Sequence, residues 1–132
     1  MNVRLGARAE YALRAMGELA RAPAGQPVSG RGIARSLGIS PKFLLNILGE
    51  LRRDGLVVSH RGAMGGFSLA GPPGEITVGE VLAAVDRQWA SGEGSRAPER
   101  CGAVERLLSS FDDQLHTTLD RLTLMDLAVE PA

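Results

Sequence analysis

The chain has almost no cysteine: one residue, Cys101, in 132. A single thiol excludes an internal disulfide and alone makes a poor metal site. It reads against a secreted, disulfide-stapled scaffold and fits a reducing cytosol. Long apolar runs are missing as well. No stretch approaches the roughly 18 residues of a membrane span. The opening MNVRLGARAEYALRAMGELA has charges scattered through it and no unbroken apolar core, unlike a secretory signal. These absences together give the expectation of a cytoplasmic protein that makes no membrane contact. A catalytic constellation is also missing. Cys101 as a nucleophile would need a base within hydrogen-bond reach, and no His, Asp or Glu cluster presents one, so no enzyme is expected.

Net charge is the last thing missing, since formal charge sums to zero. That zero conceals a division. Residues 1–61 hold ten Lys/Arg against four acidic residues, and residues 62–132 hold five Arg against eleven acidic residues. A basic half joined to an acidic half predicts a polyanion-binding surface on the first and a different task for the second. Hydrophobic content of 44% and charged content of 23% are ordinary for a globular chain. This length suits one domain with an appended element and is enough for a real core.

Periodicity supplies the elements. ARAEYALRAMGELAR (7–21) places Ala9, Ala12, Leu13, Met16, Leu19 and Ala20 on one face, at helical spacing. APAGQP breaks the chain, and a short helical segment carrying Ile33, Ala34 and Leu37 runs to Gly38. SPKFLLNILGELRRDG then reads as a helix with Ser40 as N-cap and Pro41 at the first helical position. Its apolar face is Phe43, Leu44, Ile47, Leu48 and Leu51, and Gly55 ends it. LVVSHRGAMGGFSLA predicts two strands, Leu56–Ser59 and Gly66–Ala70, around a glycine-rich tip. Thr77 caps a further helix containing Val78, Val81, Leu82 and Val85.

Three helices followed by a β-hairpin describe a winged helix-turn-helix, here with GISPK as the turn. The third helix of such a fold enters the major groove of double-stranded DNA. The predicted DNA-binding set on and around it is Ser40, Lys42, Phe43, Asn46, Arg52 and Arg53. Phe43 also belongs to the apolar stripe. Asn46 is the candidate for a base contact, and Lys42 for guanine or phosphate. Arg61, Gly62 and Gly65 form the wing tip, with Arg61 placed to enter a minor groove. Plain solvated surface is the competing reading for these side chains, with the helix dipole favouring Arg52 and Arg53 at the end of their helix.

Residues 90–100 read as a flexible loop. A last helix is predicted from about Cys101 to Leu122. Val104, Leu108, Phe111, Leu115, Thr118, Leu122 and Met125 follow a 4-3 heptad spacing. Leu107 and Leu119 widen that stripe. A dimer helix is the expectation, and packing on its own domain is the alternative. TLMDLA reads as a short final turn. The predicted architecture is mainly α with a small β-hairpin: a winged helix-turn-helix (1–88), a loop (89–100) and a long C-terminal dimerisation helix with the chain end (101–132).

EYALRAMGELA, GISPKFLLNILGELRRDGLV, RGAMGGFSLA, EITVGEVLAAVD and LTLMDL together resemble the Rrf-2 family of bacterial transcription regulators, which includes the IscR, NsrR and CymR types. The likeness covers nearly the whole chain. It implies a dimeric DNA-binding protein, usually a repressor, whose long C-terminal helix forms the dimer. Several members sense iron–sulfur status, nitric oxide or redox state through three cysteines plus a histidine or an N-terminal carboxylate. The cysteines lie between the AVD helix and the dimer helix. Here that segment is short and keeps only Cys101, and Val104 stands where the IscR type has histidine. Glu10 aligns with the acidic ligand position, so Cys101 and Glu10 are the sensor candidates. One thiolate and one carboxylate leave a cluster short of ligands. No metal and no cofactor are therefore expected. Cys101 remains open as a sensing thiol, with a pKa lowered by Arg100 and a helix N-terminus, as a cluster ligand, or as an inert residue.

The function expected is a homodimeric transcription regulator that represses by binding an inverted-repeat operator. The alternatives are a redox or iron–sulfur sensor-regulator acting through Cys101, and a winged-helix adaptor that binds protein.

Overall fold

The computed structural model describes residues 6–23, 26–63, 65–86 and 102–128. Helix α1 spans Ala7–Arg21, α2 Gly30–Leu37 and α3 Pro41–Arg53. Strands β1 (Val57–His60) and β2 (Gly66–Leu69) form the wing. A 3-10 turn at Pro73–Glu75 leads to α4 (Val78–Val85), and α5 (Ala103–Arg121) and α6 (Leu124–Ala128) complete the fold.

The helix starts follow the capping residues. Ser29 caps α2 by accepting from the amide of Gly32. Ser40 caps α3 by accepting from the amide of Phe43 at 3.1 Å. At α4 the hydroxyl of Thr77 accepts from the Glu80 amide, and the Glu80 carboxylate accepts from the Thr77 amide, closing a capping box. The end of α3 is equally determined. Gly55, at φ 78°, adopts a left-handed conformation that costs other residues energy. This lets Leu56 N donate to Leu51 O, and Gly55 N to Arg52 O. Leu56 is consumed in that cap and buried. The strand predicted at Leu56–Ser59 therefore begins and ends one residue later.

β1 and β2 pair antiparallel, with Val57 opposite Leu69 and His60 opposite Gly66. The wing is tied to the body from its other side: Val28 and Phe67 exchange two backbone hydrogen bonds of 2.8 Å. That pairing fixes the hairpin relative to the α1–α2 connection.

The core contains Met16, Ile33, Leu44, Ile47, Leu48, Leu51, Val81, Leu82 and Leu124, all fully buried. No polar or charged residue is buried among the described residues. α1 contributes mainly small side chains (Ala9, Ala12, Ala15, Gly17) to the interior, which allows α4 and α6 to pack closely on it.

α5 ends at Arg121, and Leu122 is extended, with φ −80° and ψ 137°. The reason is a strand-like clasp. Val78 N donates to Leu122 O at 2.8 Å and Leu124 N donates to Ile76 O at 3.0 Å, around a Thr77–Thr123 bridge. The helix predicted to reach Leu122 thus stops one residue earlier. The last two members of the heptad stripe, Leu122 and Met125, lie beyond α5. Residues 89–100 and Cys101 lie outside the described residues, as does the side chain of Leu108.

Candidate nucleic-acid interface

α3 turns its apolar stripe inward and its remaining positions outward, and this separates the predicted site residues. Lys42, Asn46, Arg52 and Arg53 are exposed. Ser40 is also exposed, but its hydroxyl serves the helix cap. Phe43 is half-buried. Its ring meets Tyr11 edge-to-face, with centroids 6.0 Å apart and planes at 87°, a favourable aromatic arrangement. The ring therefore braces α3 against α1.

Arg52 reaches the wing root, where Nη1 donates to Oγ of Ser59 at 3.3 Å. His60 Nε2 lies 2.7 Å from Oγ of Ser68 across the hairpin. Arg61 and Gly62 are exposed at the tip, and Gly62 has φ 102°. Gly65 is required by close approach, because a Cβ there would collide with the carbonyl oxygen of His60. The hairpin can therefore present Arg61 on a narrow, close-fitting tip.

One participant is not visible in sequence reasoning. Arg8 of α1 donates from Nη2 to Oδ1 of Asn46 at 2.7 Å and forms an ion pair with Oε1 of Glu50. In the sequence Arg8 is one basic residue among ten in the first half, with no spacing that links it to α3. The exposed apolar residues Leu45 on α3 and Val58 on β1 were likewise unmarked.

The other predicted sites are distributed as follows. Glu10 is exposed on α1 and accepts from Nη2 of Arg14 at 2.9 Å, one helical turn on. The α5 face is uncovered at its start: Val104 is 63% exposed, Leu107 54% and Phe111 40%. Leu115 is half-buried and Thr118 exposed. Leu119 packs on the core. Leu122 and Met125 are exposed.

The family model named Rrf2, described as iron-dependent transcriptional regulator, matches residues 5–130. The chain belongs to the Rrf2 family. Its relatives include a Mycobacterium tuberculosis protein named "Putative HTH-type transcriptional regulator Rv1287", 48% identical over 89 residues, or 67% of this chain. That match spans 55% of the relative's length. The transcriptional regulator IscR of Cronobacter sakazakii is 34% identical over 130 residues, covering 95% of this chain and 80% of the relative. Among solved structures, CymR of B. subtilis, described as a global cysteine regulator, superposes with a TM-score of 0.88 at 29% identity. That superposition covers 99% of this chain and 100% of CymR. Membership in the Rrf2 family makes the winged helix-turn-helix reading of the fold firm.

The family's description names iron, so the donor set of this chain matters. It contains one cysteine. Glu10 is occupied by Arg14, and His60 is engaged on the wing with Ser68. No cluster of three metal-ligating side chains occurs among the described residues. One cysteine is fewer thiolates than a thiolate-held iron–sulfur cluster ordinarily draws on.

Proposed function

We propose that this Rrf2-family chain is a cytoplasmic, DNA-binding transcription regulator that acts as a homodimer on an inverted-repeat operator, most simply as a repressor. The observation that carries the reading is the exposure of Lys42, Asn46 and Arg53 on α3 and of Arg61 at the wing tip. α3 would lie in the major groove and Arg61 would enter the flanking minor groove. The exposed apolar face of α5 supports the dimer. Two copies would set their recognition helices about one helical turn apart, on the order of 34 Å, or a small multiple of it. Among the described residues no helix is long and apolar enough to cross a membrane.

A gel-shift titration tests the assignment. Arg61→Ala and Asn46→Ala are each expected to weaken operator binding by about 1–3 kcal/mol while leaving the dimer intact. Equal affinity for both variants and the parent would overturn it. A protein-binding adaptor would instead show little salt-dependent affinity for any duplex.

The reading includes no resident cluster. Protein purified without oxygen is expected to be colourless and to lack stoichiometric iron and acid-labile sulfide. A coloured, iron-loaded preparation would refute this. If the colourless protein loses DNA affinity on thiol oxidation, and Cys101→Ala abolishes that response, Cys101 is a sensing thiol.

A further inference from the structure

Arg8 lies near the start of α1, outside the recognition helix, yet its guanidinium reaches across to α3. One nitrogen, Nη2, serves both partners there: it donates to Oδ1 of Asn46 at 2.7 Å and pairs with Oε1 of Glu50. The Arg8 and Glu50 side chains are 29% and 28% exposed. The Glu10–Arg14 pair on the same helix is far more open, at 59% and 52% for Arg14 and Glu10. The Arg8 contact is therefore the more shielded of the two and the less weakened by solvent.

The chemistry of the contact is directional. Arginine carries only donors, so whichever way the Asn46 amide turns, its oxygen is the atom that can face Arg8. The Nδ2 group, with two N–H donors, is then the end of the amide left for another partner. Glu50 lies four residues after Asn46, on the same side of α3. Its carboxylate holds the guanidinium in place and neutralises it, so Arg8 is not a spare cation for phosphate. An asparagine without such a partner can present either end of its amide and accept either kind of base edge. Here, flipping the amide would forfeit the Arg8 hydrogen bond and set donor against donor.

We propose that Arg8, anchored by Glu50, is a positioning residue for sequence recognition: it fixes the Asn46 carboxamide with its NH2 group toward DNA. Asn46 then selects a major-groove acceptor on the strand it contacts, which guanine, adenine N7 or thymine O4 supplies. It disfavours cytosine, whose exposed edge offers the N4 amino donor. The inference rests on the proposed docking of α3 in the major groove and adds to it the group that orients the reader.

The test uses the full chain and a duplex selected by it from a random library. Affinities are measured for that duplex and for each single base-pair replacement. The proteins compared are the parent, Arg8→Ala, Asn46→Ala and the double variant. Asn46→Ala is expected to weaken binding and to flatten the preference at one position per half-site. Arg8→Ala should flatten the preference against cytosine at that same position by roughly tenfold, and leave other positions and the salt dependence unchanged. The double variant should bind no more weakly than Asn46→Ala alone. Glu50→Gln, which keeps the side-chain shape, should loosen the same position less, and it carries the test if Arg8→Ala fails to fold. An unchanged preference in both Arg8→Ala and Glu50→Gln would overturn the proposal. So would fully additive losses accompanied by a shallower salt dependence, which would make Arg8 a phosphate contact. If Asn46→Ala binds like the parent, or the library yields no preferred duplex, the docking of α3 itself fails and the orientation role falls with it.

Discussion

The α1–α4 body and the first half of α5 satisfy their side chains in opposite ways. In the body the apolar stripe of each helix is closed over. Leu44, Ile47, Leu48 and Leu51 of α3 are fully buried, and Asn46 and Glu50 on the same helix are partnered by Arg8. In α5 the same kind of stripe stands open, with Val104, Leu107 and Phe111 exposed. Its distal end packs on the body through Leu119, and Asp120 lies against Gly79. An amphipathic helix whose apolar side meets nothing is unstable in isolation, since burial of that side supplies most of its stability. The body thus closes its apolar stripes on contacts of its own, whereas the proximal part of α5 leaves exposed the side that the proposed second copy would cover.

The largest expected effect tests where the body ends. Leu124 follows α5 in the chain but is fully buried among body residues, and its amide is bonded to Ile76 O. Leu124→Ala should cost about 2–5 kcal/mol of unfolding free energy. Urea titration at fixed protein concentration checks it, because a dimer's apparent stability depends on concentration. A loss below about 1 kcal/mol would place α6 with the appended arm, and the contrast between the two regions would have to be redrawn at Leu122.

Much of this arrangement was legible in the sequence because local chemistry dictates it. Ser40 before Pro41, Thr77 three residues before Glu80 and Gly55 after Arg53 each determine a helix end within a few residues, and each does so in the structure. The hairpin was readable for the same reason, from glycines around a polar tip. What escaped depends on residues far apart in the chain. The clasp joining residues 76–78 to 122–124 interrupts a heptad spacing that runs unbroken in sequence: tertiary hydrogen bonds make Leu122 extended and place Met125 on a separate helix, α6. Arg8 and Asn46 are 38 positions apart, and no periodicity connects them. The exposed set of Lys42, Asn46, Arg53 and Arg61 could be named from sequence. Which atom of Asn46 faces outward could not.

The second prediction examines the open side of the contrast and expects a smaller change in the folded body. Phe111 is 40% exposed, so Phe111→Glu leaves no large cavity in the protomer, and α4 and α6 keep their packing on α1. If a second copy covers this face, the new carboxylate would be buried at the centre of an apolar interface, where an aromatic anchor is worth about 2 kcal/mol or more and an unpaired charge is worse than neutral. Sedimentation velocity should then show a shift from dimer to monomer at micromolar concentration, with the helical circular-dichroism signal of the body retained. Operator affinity should fall with it, because one half-site supplies only half of the contacts. A variant that remains dimeric would move the interface off this stripe. A variant that loses its helical signal as a monomer would show that Phe111 supports its own protomer, and the difference between body and arm would then reflect partial packing instead of an unfilled partner surface.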